Sequence, residues 1–137
     1  MDNTDTLLEC GLDFTCDFTK PYGFIGAEHV LAQKNKAKTD GGLFKRMGQV
    51  LVTNPEPLLH HGEILWRNGT RVCEIRSASY GHTLGGAVGL AMLEADEPIN
   101  KDFLQSGEWE VETPLGMYPC IVSLRPLYDP KNLKINK

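Results

Sequence analysis

The residues best suited to chemistry lie together on one glycine-rich stretch, Tyr80-Gly81-His82-Thr83-Leu84-Gly85-Gly86. A phenol, an imidazole and a hydroxyl on such a loop can line a ligand pocket. The stretch matches neither the phosphate-binding pattern G-x-x-x-x-G-K-[ST] nor the dinucleotide pattern G-x-G-x-x-G. Residue types alone leave two interpretations open, a structural turn and a binding loop, and they favour the turn.

The other reactive side chains form no recognisable site. His60 and His61 are neighbours, and adjacent residues of a strand point to opposite faces, so they rarely bind one ion together. Ser77 and Ser79 lack the G-x-S-x-G context of a hydrolase nucleophile. The chain has four cysteines without a C-x-x-C pair, Cys10, Cys16, Cys73 and Cys120. We therefore expect reduced thiols and no metal site, and we assign no catalytic residue.

Composition narrows the class of protein. The chain has 137 residues and a formal net charge of −4, so we expect one modest domain, or one domain with a fragment of a neighbour, and no nucleic-acid partner. No apolar run approaches the ~20 residues that span a bilayer, so no membrane partner is expected. The acidic start of the chain does not resemble a targeting segment. We expect a cytoplasmic protein, or a mitochondrial matrix protein if the source is eukaryotic.

The chain divides near Asp40-Gly41-Gly42. Before this point, a short apolar segment covers Gly11 to Phe18. A helix is predicted from Ala27 to about Lys38, because apolar residues recur there at helical spacing. The apolar stripe of this helix is weak, and its lysines lie on the other side.

After Gly42 the pattern predicts strands and short turns. Asn68-Gly69 between two strand-like runs is the preferred two-residue hairpin turn, because both positions need positive φ. A short helix is predicted from Asn100 to Ser106, with Asn100 as its cap. The strand patterns cover Met47–Val52, Glu63–Arg67, Thr70–Ile75, Leu84–Leu93, Trp109–Thr113 and Tyr118–Leu124. About six strands joined in this way suit a small closed barrel or jelly-roll.

Several phrases in sequence order resemble a known family. They are Leu8-Glu9-Cys10-Gly11-Leu12, Lys20-Pro21, Phe24-Ile25-Gly26, Asn54-Pro55-Glu56-Pro57-Leu58-Leu59, the stretch from Ser77 to Leu90, and Leu124-Arg125-Pro126-Leu127-Tyr128-Asp129-Pro130. Together they resemble the C-terminal part of the aminomethyltransferase (glycine cleavage T-protein) family. Within it, the chain is most similar to the C-terminal region of dimethylglycine and sarcosine dehydrogenase-type FAD-dependent oxidoreductases.

This resemblance implies a fold and a domain division. The fold would be mainly β, with a small α+β N-terminal part and a six-stranded antiparallel barrel or jelly-roll-like C-terminal aminomethyltransferase domain. Residues 1–42 would be the terminal strand and helix of the family's folate-binding domain, and residues 43–137 its C-terminal β-barrel. The flavin domain and the catalytic residues would lie upstream.

The resemblance also implies a function shared with domains that this chain lacks. The chain would be the C-terminal portion of an enzyme that oxidises an N-methyl group and passes the one-carbon unit to tetrahydrofolate, not catalytic by itself. Its partners would be upstream folate and flavin domains or a subunit that carries them. Tetrahydrofolate would bind the full-length parent and bind weakly or not at all here, and FAD would bind only the missing upstream domain.

Five residues are the candidates for the folate side of the pocket: Tyr80, His82, Thr83, Arg125 and Tyr128. Two other functions stay open at this point. The chain would then be a fragment of a glycine-cleavage-type aminomethyltransferase, or a free-standing interaction module that uses the barrel without chemistry. The sequence does not identify the N-methyl substrate.

Overall fold

A computed structural model describes residues 2–134. Six strands form one closed antiparallel barrel in the order β1-β4-β3-β2-β5-β6. The strands are β1 (Lys45–Val52), β2 (Ile64–Arg67), β3 (Thr70–Gly81), β4 (Gly86–Glu94), β5 (Trp109–Thr113) and β6 (Gly116–Ser123), and the α-helices are α1 (Ala27–Thr39) and α2 (Lys101–Gln105). The predicted mainly β fold with a six-stranded barrel is confirmed.

The β2–β3 hairpin turns at Asn68-Gly69, as the sequence predicts. Asn68 has φ of 51° and Gly69 has φ of 75°, so both positions adopt the left-handed conformation. Arg67 and Thr70 are paired directly across the turn. This backbone geometry matches the right-handed twist of the two strands, which is why the Asn-Gly pair is preferred here.

Replacement of Gly69 by valine tests this turn. No atom lies within 4 Å of the Cβ that a side chain would add, so the cost comes from the backbone alone. A β-branched residue in the left-handed region should lower the free energy of unfolding by about 1–2 kcal/mol. Lys36→Val on the exposed side of α1 is the control, with an expected loss of about 0.5 kcal/mol. Equal melting temperatures for the two variants would contradict the assignment.

The glycine-rich run at the start of β4 forms a strand because its backbone lies close to β1. A Cβ on Gly86 would collide with the carbonyl oxygen of Val52. Gly86 and Gly89 are both buried inside the sheet. The strand predicted for Leu84–Leu93 is therefore confirmed, with bounds of Gly86–Glu94.

The core fills the barrel and continues under α2. The fully buried large side chains include Val50, Val52, Leu65, Ile75, Leu93, Ile99 and Val111. Asn100 caps α2, because its side-chain oxygen accepts a hydrogen bond from the amide of Phe103 at 2.9 Å. Phe103 and Leu104 of this helix are buried, so α2 packs its apolar side against the core.

The N-terminal part differs from the prediction. Residues 2–44 contain a 3-10 helix (Asp13–Thr15) and α1, but no strand, so the terminal strand predicted there is wrong. A strand needs a partner, and the amides of Thr15 and Cys16 instead donate to the carbonyls of Leu12 and Asp13, at 3.0 Å each. The helix predicted from Ala27 is observed. Assignment of residues 1–42 to a folate-binding domain stays a prediction.

One short segment attaches this N-terminal part to the barrel. The amide of Met47 in β1 donates to the carbonyl of Glu9 at 2.7 Å, and Leu8 and Cys10 are buried beside it. The Lys45 ammonium lies 2.8 Å from the Asp5 carboxylate. This contact lowers the pKa of Asp5 and raises the pKa of Lys45, because each charge stabilises the other. The segment around residues 5–10 thus packs on the outside of β1, whereas α1 has no buried residue.

Candidate functional site

The glycine-rich stretch forms the turn between β3 and β4. Tyr80 is in the last part of β3, and the amides of Leu84 and Gly85 donate to the carbonyl of Gly81 at 2.9 and 2.8 Å. The rings of Tyr80 and His82 meet edge to face, with centroids 5.1 Å apart. His82 and Thr83 are exposed, so the turn presents an imidazole and a hydroxyl outward from the barrel.

Arg125 follows the last strand and is held by its own backbone. Its amide donates to the Ser123 hydroxyl at 3.1 Å, and that hydroxyl donates to the Arg125 carbonyl at 2.9 Å. Two residues later, the amide of Leu127 donates to the side-chain oxygen of Gln49 in β1, at 3.0 Å. These bonds fix the path of the chain beside β1. They involve the backbone of Arg125 and not its guanidinium, which is exposed.

Tyr128 lies in the segment that folds back after this point. Its side chain is about half exposed, and the ammonium of Lys134 lies 5.2 Å from the centre of its ring. Asp129 organises the segment, since its carboxylate accepts the amides of Leu133 and Lys134 at 2.8 and 2.9 Å. Tyr128 is thus an accessible aromatic face on a hydrogen-bonded loop.

The β3–β4 turn and Arg125 lie at opposite ends of the barrel. Leu51 in β1 pairs with Val88, so the β3–β4 turn lies beyond the end of β1. Gln49 pairs with Ser123, so Arg125 lies beside the start of β1. The separation is about six residues of strand, or roughly 20 Å. The structure therefore brings Tyr80, His82 and Thr83 together and places Arg125 apart from them.

One cleft, of about 790 Å³, contains none of the five predicted residues. Arg67 lies in its wall, with its guanidinium 4.0 Å from the centre of the Phe103 ring. The same guanidinium donates to the Phe103 carbonyl at 3.0 Å and to the Ser106 hydroxyl at 3.1 Å. Arg67 therefore fastens α2 to β2, and we assign it a structural role.

A second cleft, of about 540 Å³, includes Arg125. The residues lining this cleft are Arg46, Lys101, Leu104, Gln105, Val122, Ser123, Leu124 and Arg125. Sequence reasoning missed Arg46 and Lys101 as site residues. They are far from Arg125 along the chain. The pairing of β1 with β6 brings Arg46 near Arg125, and α2 carries Lys101 to the same cleft.

The part of the chain that the structure describes offers neither a metal-binding cluster nor a reactive thiol at Cys73 or Cys120. Residues 2–134 include no cluster of three histidine, cysteine or acidic side chains that could hold a metal ion. Burial raises the pKa of both Cys73 and Cys120 to about 12. These thiols are therefore protonated at neutral pH and are poor nucleophiles. Neither α1 nor α2 has the length and apolar character needed to cross a bilayer.

Comparison with known proteins identifies the barrel. Residues 45–129 match the model of the glycine cleavage T-protein C-terminal barrel domain. The solved structure of the glycine cleavage system aminomethyltransferase T from Bartonella henselae has the same fold, with a TM-score of 0.64 over 89% of this chain and 31% of that one. The two sequences are 18% identical, so this likeness concerns the fold alone.

Two curated relatives align with nearly the whole chain. The 4-methylaminobutanoate oxidase (formaldehyde-forming) of Paenarthrobacter nicotinovorans is 37% identical over 131 residues, which are 96% of this chain and 15% of that protein. The mitochondrial sarcosine dehydrogenase of Mus musculus is 30% identical over 133 residues, which are 96% of this chain and 14% of that protein. The chain thus spans about one-seventh of the length of these relatives.

Proposed function

Because the chain belongs to the glycine cleavage T-protein C-terminal barrel family, we propose that it is the C-terminal portion of a folate-dependent one-carbon enzyme. The enzyme would be of the dimethylglycine or sarcosine dehydrogenase type and would pass a one-carbon unit to tetrahydrofolate. The portion described here would not be catalytic by itself. The names of the two relatives, an oxidase of a methylamino acid and a sarcosine dehydrogenase, support this choice of substrate class.

The observation that carries the proposal is the difference in coverage. The alignments use 96% of this chain but only 14–15% of the two relatives. The residues that bind the flavin and most of those that bind the folate would therefore belong to upstream domains, or to a partner subunit that carries these domains. This chain contains no G-x-G-x-x-G fingerprint that would hold a flavin nucleotide.

The N-terminal part offers a surface for those domains. Phe14, Tyr22, Ile25 and Leu31 are 81%, 100%, 105% and 46% exposed. Several large apolar side chains exposed on one segment are typical of a surface that another domain covers. We propose that residues 1–42 pack against the upstream folate-binding domain and are the last part of it, while residues 43–137 form the barrel.

The barrel would close one wall of the folate chamber. The β3–β4 turn offers Tyr80, His82 and Thr83, and the loop after β6 offers Arg125 and Tyr128. Because the β3–β4 turn and Arg125 lie at opposite ends of the barrel, one end of a bound folate would contact only one of them. Such a wall would keep a reactive one-carbon intermediate beside its acceptor until transfer, which is the kinetic advantage of proximity.

Tetrahydrofolate should bind the 137-residue chain with a dissociation constant of about a millimolar or weaker. Two or three unassisted polar contacts contribute about 1 kcal/mol each, and a small ligand first loses several kcal/mol of translational and rotational freedom. Isothermal titration calorimetry measures this directly. Micromolar affinity would show that the folate site lies largely within the barrel, and the proposed division of labour would be wrong.

The longer polypeptide that this proposal requires gives the second test. Removal of the folate-side groups there should raise the yield of free formaldehyde relative to methylene-tetrahydrofolate, because capture becomes less efficient. Matched variants are His82→Ala with Thr83→Ala for one end of the barrel, Arg125→Ala for the other, and Lys36→Ala as the control. The end whose variant shifts the product ratio is the end that faces the folate. An unchanged product ratio in all of these variants would show that the barrel does not line the folate chamber.

Two alternative functions can each be distinguished from the dehydrogenase type by a specific observation. A glycine-cleavage-type aminomethyltransferase fragment is favoured by the fold likeness to the Bartonella henselae protein. A free-standing interaction module would have no upstream coding sequence at all. A continuous upstream reading frame with a dinucleotide-binding fingerprint would favour the dehydrogenase type over both. We place the enzyme in the cytosol, or in the mitochondrial matrix if the source is eukaryotic, as the relative named mitochondrial suggests.

A further inference from the structure

The cleft beside Arg125 is one mouth of the barrel. Arg46 pairs directly with Leu93, so the two side chains are on the same side of the sheet, and Leu93 is fully buried. Gly48 and Val50, which follow on the same side of β1, are buried too. Arg46 is therefore the first residue of β1 on the side that faces the core, and it lies at the open end of the barrel.

Two other segments complete this mouth. The α2 helix contributes Lys101 and Gln105, and the end of β6 leads into Arg125. Buried Leu104 and Val122 form an apolar floor between them. A volume of about 540 Å³ is in the range of small-molecule sites, and barrel mouths are common places for them.

The charges around the mouth are of one sign. Arg46, Lys101 and Arg125 line the cleft, and no aspartate or glutamate is among its lining residues. None of the three cations forms an ion pair with a residue in 2–134. By contrast, Lys45 and Arg71 have carboxylates at 2.8 and 2.7 Å. The mouth thus concentrates unpaired positive charge in a chain whose net charge is −4.

We propose that this barrel mouth, formed by Arg46, Lys101 and Arg125, binds a small anion that carries two or more carboxylate or phosphate groups. Guanidinium groups present a planar fork that matches both kinds of oxyanion, and the lysine adds a mobile point charge. The Gln105 amide can donate a further hydrogen bond, and the apolar floor suits the carbon skeleton of an organic anion. This site shares Arg125 with the proposed folate wall, but the anion it would bind need not be folate, and it needs no upstream domain.

The test uses the 137-residue chain with citrate and with pyrophosphate as probes, titrated by calorimetry at low ionic strength. We expect saturable binding with a dissociation constant of about a millimolar or tighter, weakening as salt is added. Arg46→Gln and Arg125→Gln should each weaken binding about five- to tenfold, and Lys101→Gln about threefold, because each removes a charge-assisted contact. Lys36→Gln on α1 is the control, since it makes the same change in net charge away from the mouth.

Binding of citrate alone would assign the site to carboxylates, binding of pyrophosphate alone to phosphates, and binding of both to either group. Each result supports the proposal when the mouth variants weaken it and Lys36→Gln does not. Absence of saturation with both probes, or an equal loss in Lys36→Gln, would overturn it. Melting temperatures show whether each variant is folded. If Arg46→Gln proves unstable, Lys101→Gln and Arg125→Gln still test the proposal, because they alter exposed side chains. No folate is present, so failure here leaves the folate proposal unaffected.

Discussion

Trp109→Ala should lower the free energy of unfolding by about 3–5 kcal/mol, the range found when large aromatic residues are removed from a core. Trp109 is 6% exposed, and its ring meets Phe103 at a centroid distance of 6.0 Å and an angle of 68°. Its indole N–H donates to the carbonyl of Leu104 at 3.0 Å. Urea unfolding followed by circular dichroism measures the loss.

The size of this effect follows from the position of Trp109 between two elements. It begins β5, while Phe103 and Leu104 belong to α2, so its removal leaves a cavity beneath the helix. The Leu104 carbonyl, in a buried bond, would also lose its donor, which adds the cost of an unsatisfied polar group. Trp109→Phe should lose less than the alanine variant, since it keeps most of the buried area but not the hydrogen bond.

The second tryptophan provides a matched control. Trp66 is only partly buried, and its indole N–H donates at 2.9 Å to the exposed Glu112 carboxylate on the outside of the barrel. Trp66→Ala should therefore cost less than Trp109→Ala, by about 1 kcal/mol or more, because its ring is less buried and water can replace the indole as the partner of Glu112. Equal losses for the two alanine variants would show that α2 is not held to the barrel through Trp109.

Local features of this fold were predictable because their causes are local. Asn68-Gly69 has the turn chemistry of a tight hairpin, and Asn100 has the side-chain acceptor that a helix start needs. Both occupy the predicted positions in the structure. In each case, the responsible groups lie within four residues of one another, so no knowledge of the tertiary fold was required.

Features that depend on distant partners were harder to predict. Residues 2–44 form no strand, although the family resemblance implied one within residues 1–42, because an apolar pattern makes a strand only where another strand can pair with it. The pairing of β1 with β6 closes the barrel, yet no local pattern specifies that Val50 meets Val122. Gly107 shows the same limit. Its lack of a Cβ leaves room for the Arg67 side chain, a contact between distant segments.

The candidate sites divide in the same way. Tyr80, His82 and Thr83 are contiguous, so their grouping on one turn could be read directly from the sequence. The three cations of the barrel mouth come from β1, α2 and the segment after β6. Arg125 entered the prediction through a family resemblance, whereas Arg46 and Lys101 had no signal at all. Only the register of the barrel places them around one cleft.

Cys73 and Cys120 should react with iodoacetamide at pH 8 at least about 1000-fold more slowly in the folded chain than in urea. Burial raises the pKa of each thiol to about 12, whereas an unfolded cysteine has a pKa of about 8.5. The reactive thiolate then falls from about a quarter of the unfolded population to roughly 1 in 10,000 in the folded state. Mass spectrometry of modified peptides, sampled over time, measures both rates.

The same pKa values predict how stability depends on pH. The folded-state pKa is raised, so both thiols favour the folded chain fully below pH ~8.5, where neither state ionises. Between about 8.5 and 12, the unfolded chain releases protons that the folded chain keeps. The free energy of unfolding should therefore fall as the pH rises, by up to about 1.4 kcal/mol per pH unit for each thiol.

Urea unfolding at pH 7.5 and pH 10 tests this dependence. The loss between the two values should be about 4 kcal/mol greater in the native sequence than in a variant with Cys73→Ala and Cys120→Ala, because the variant lacks both thiols. Lysines and tyrosines also titrate in this range, and the variant corrects for them since it keeps them all. Cys73 is the less buried of the two thiols, so Cys120→Ala alone should remove at least half of the difference. An identical fall with pH in both proteins would mean that water reaches the two thiols and that the barrel interior is more open than its packing indicates.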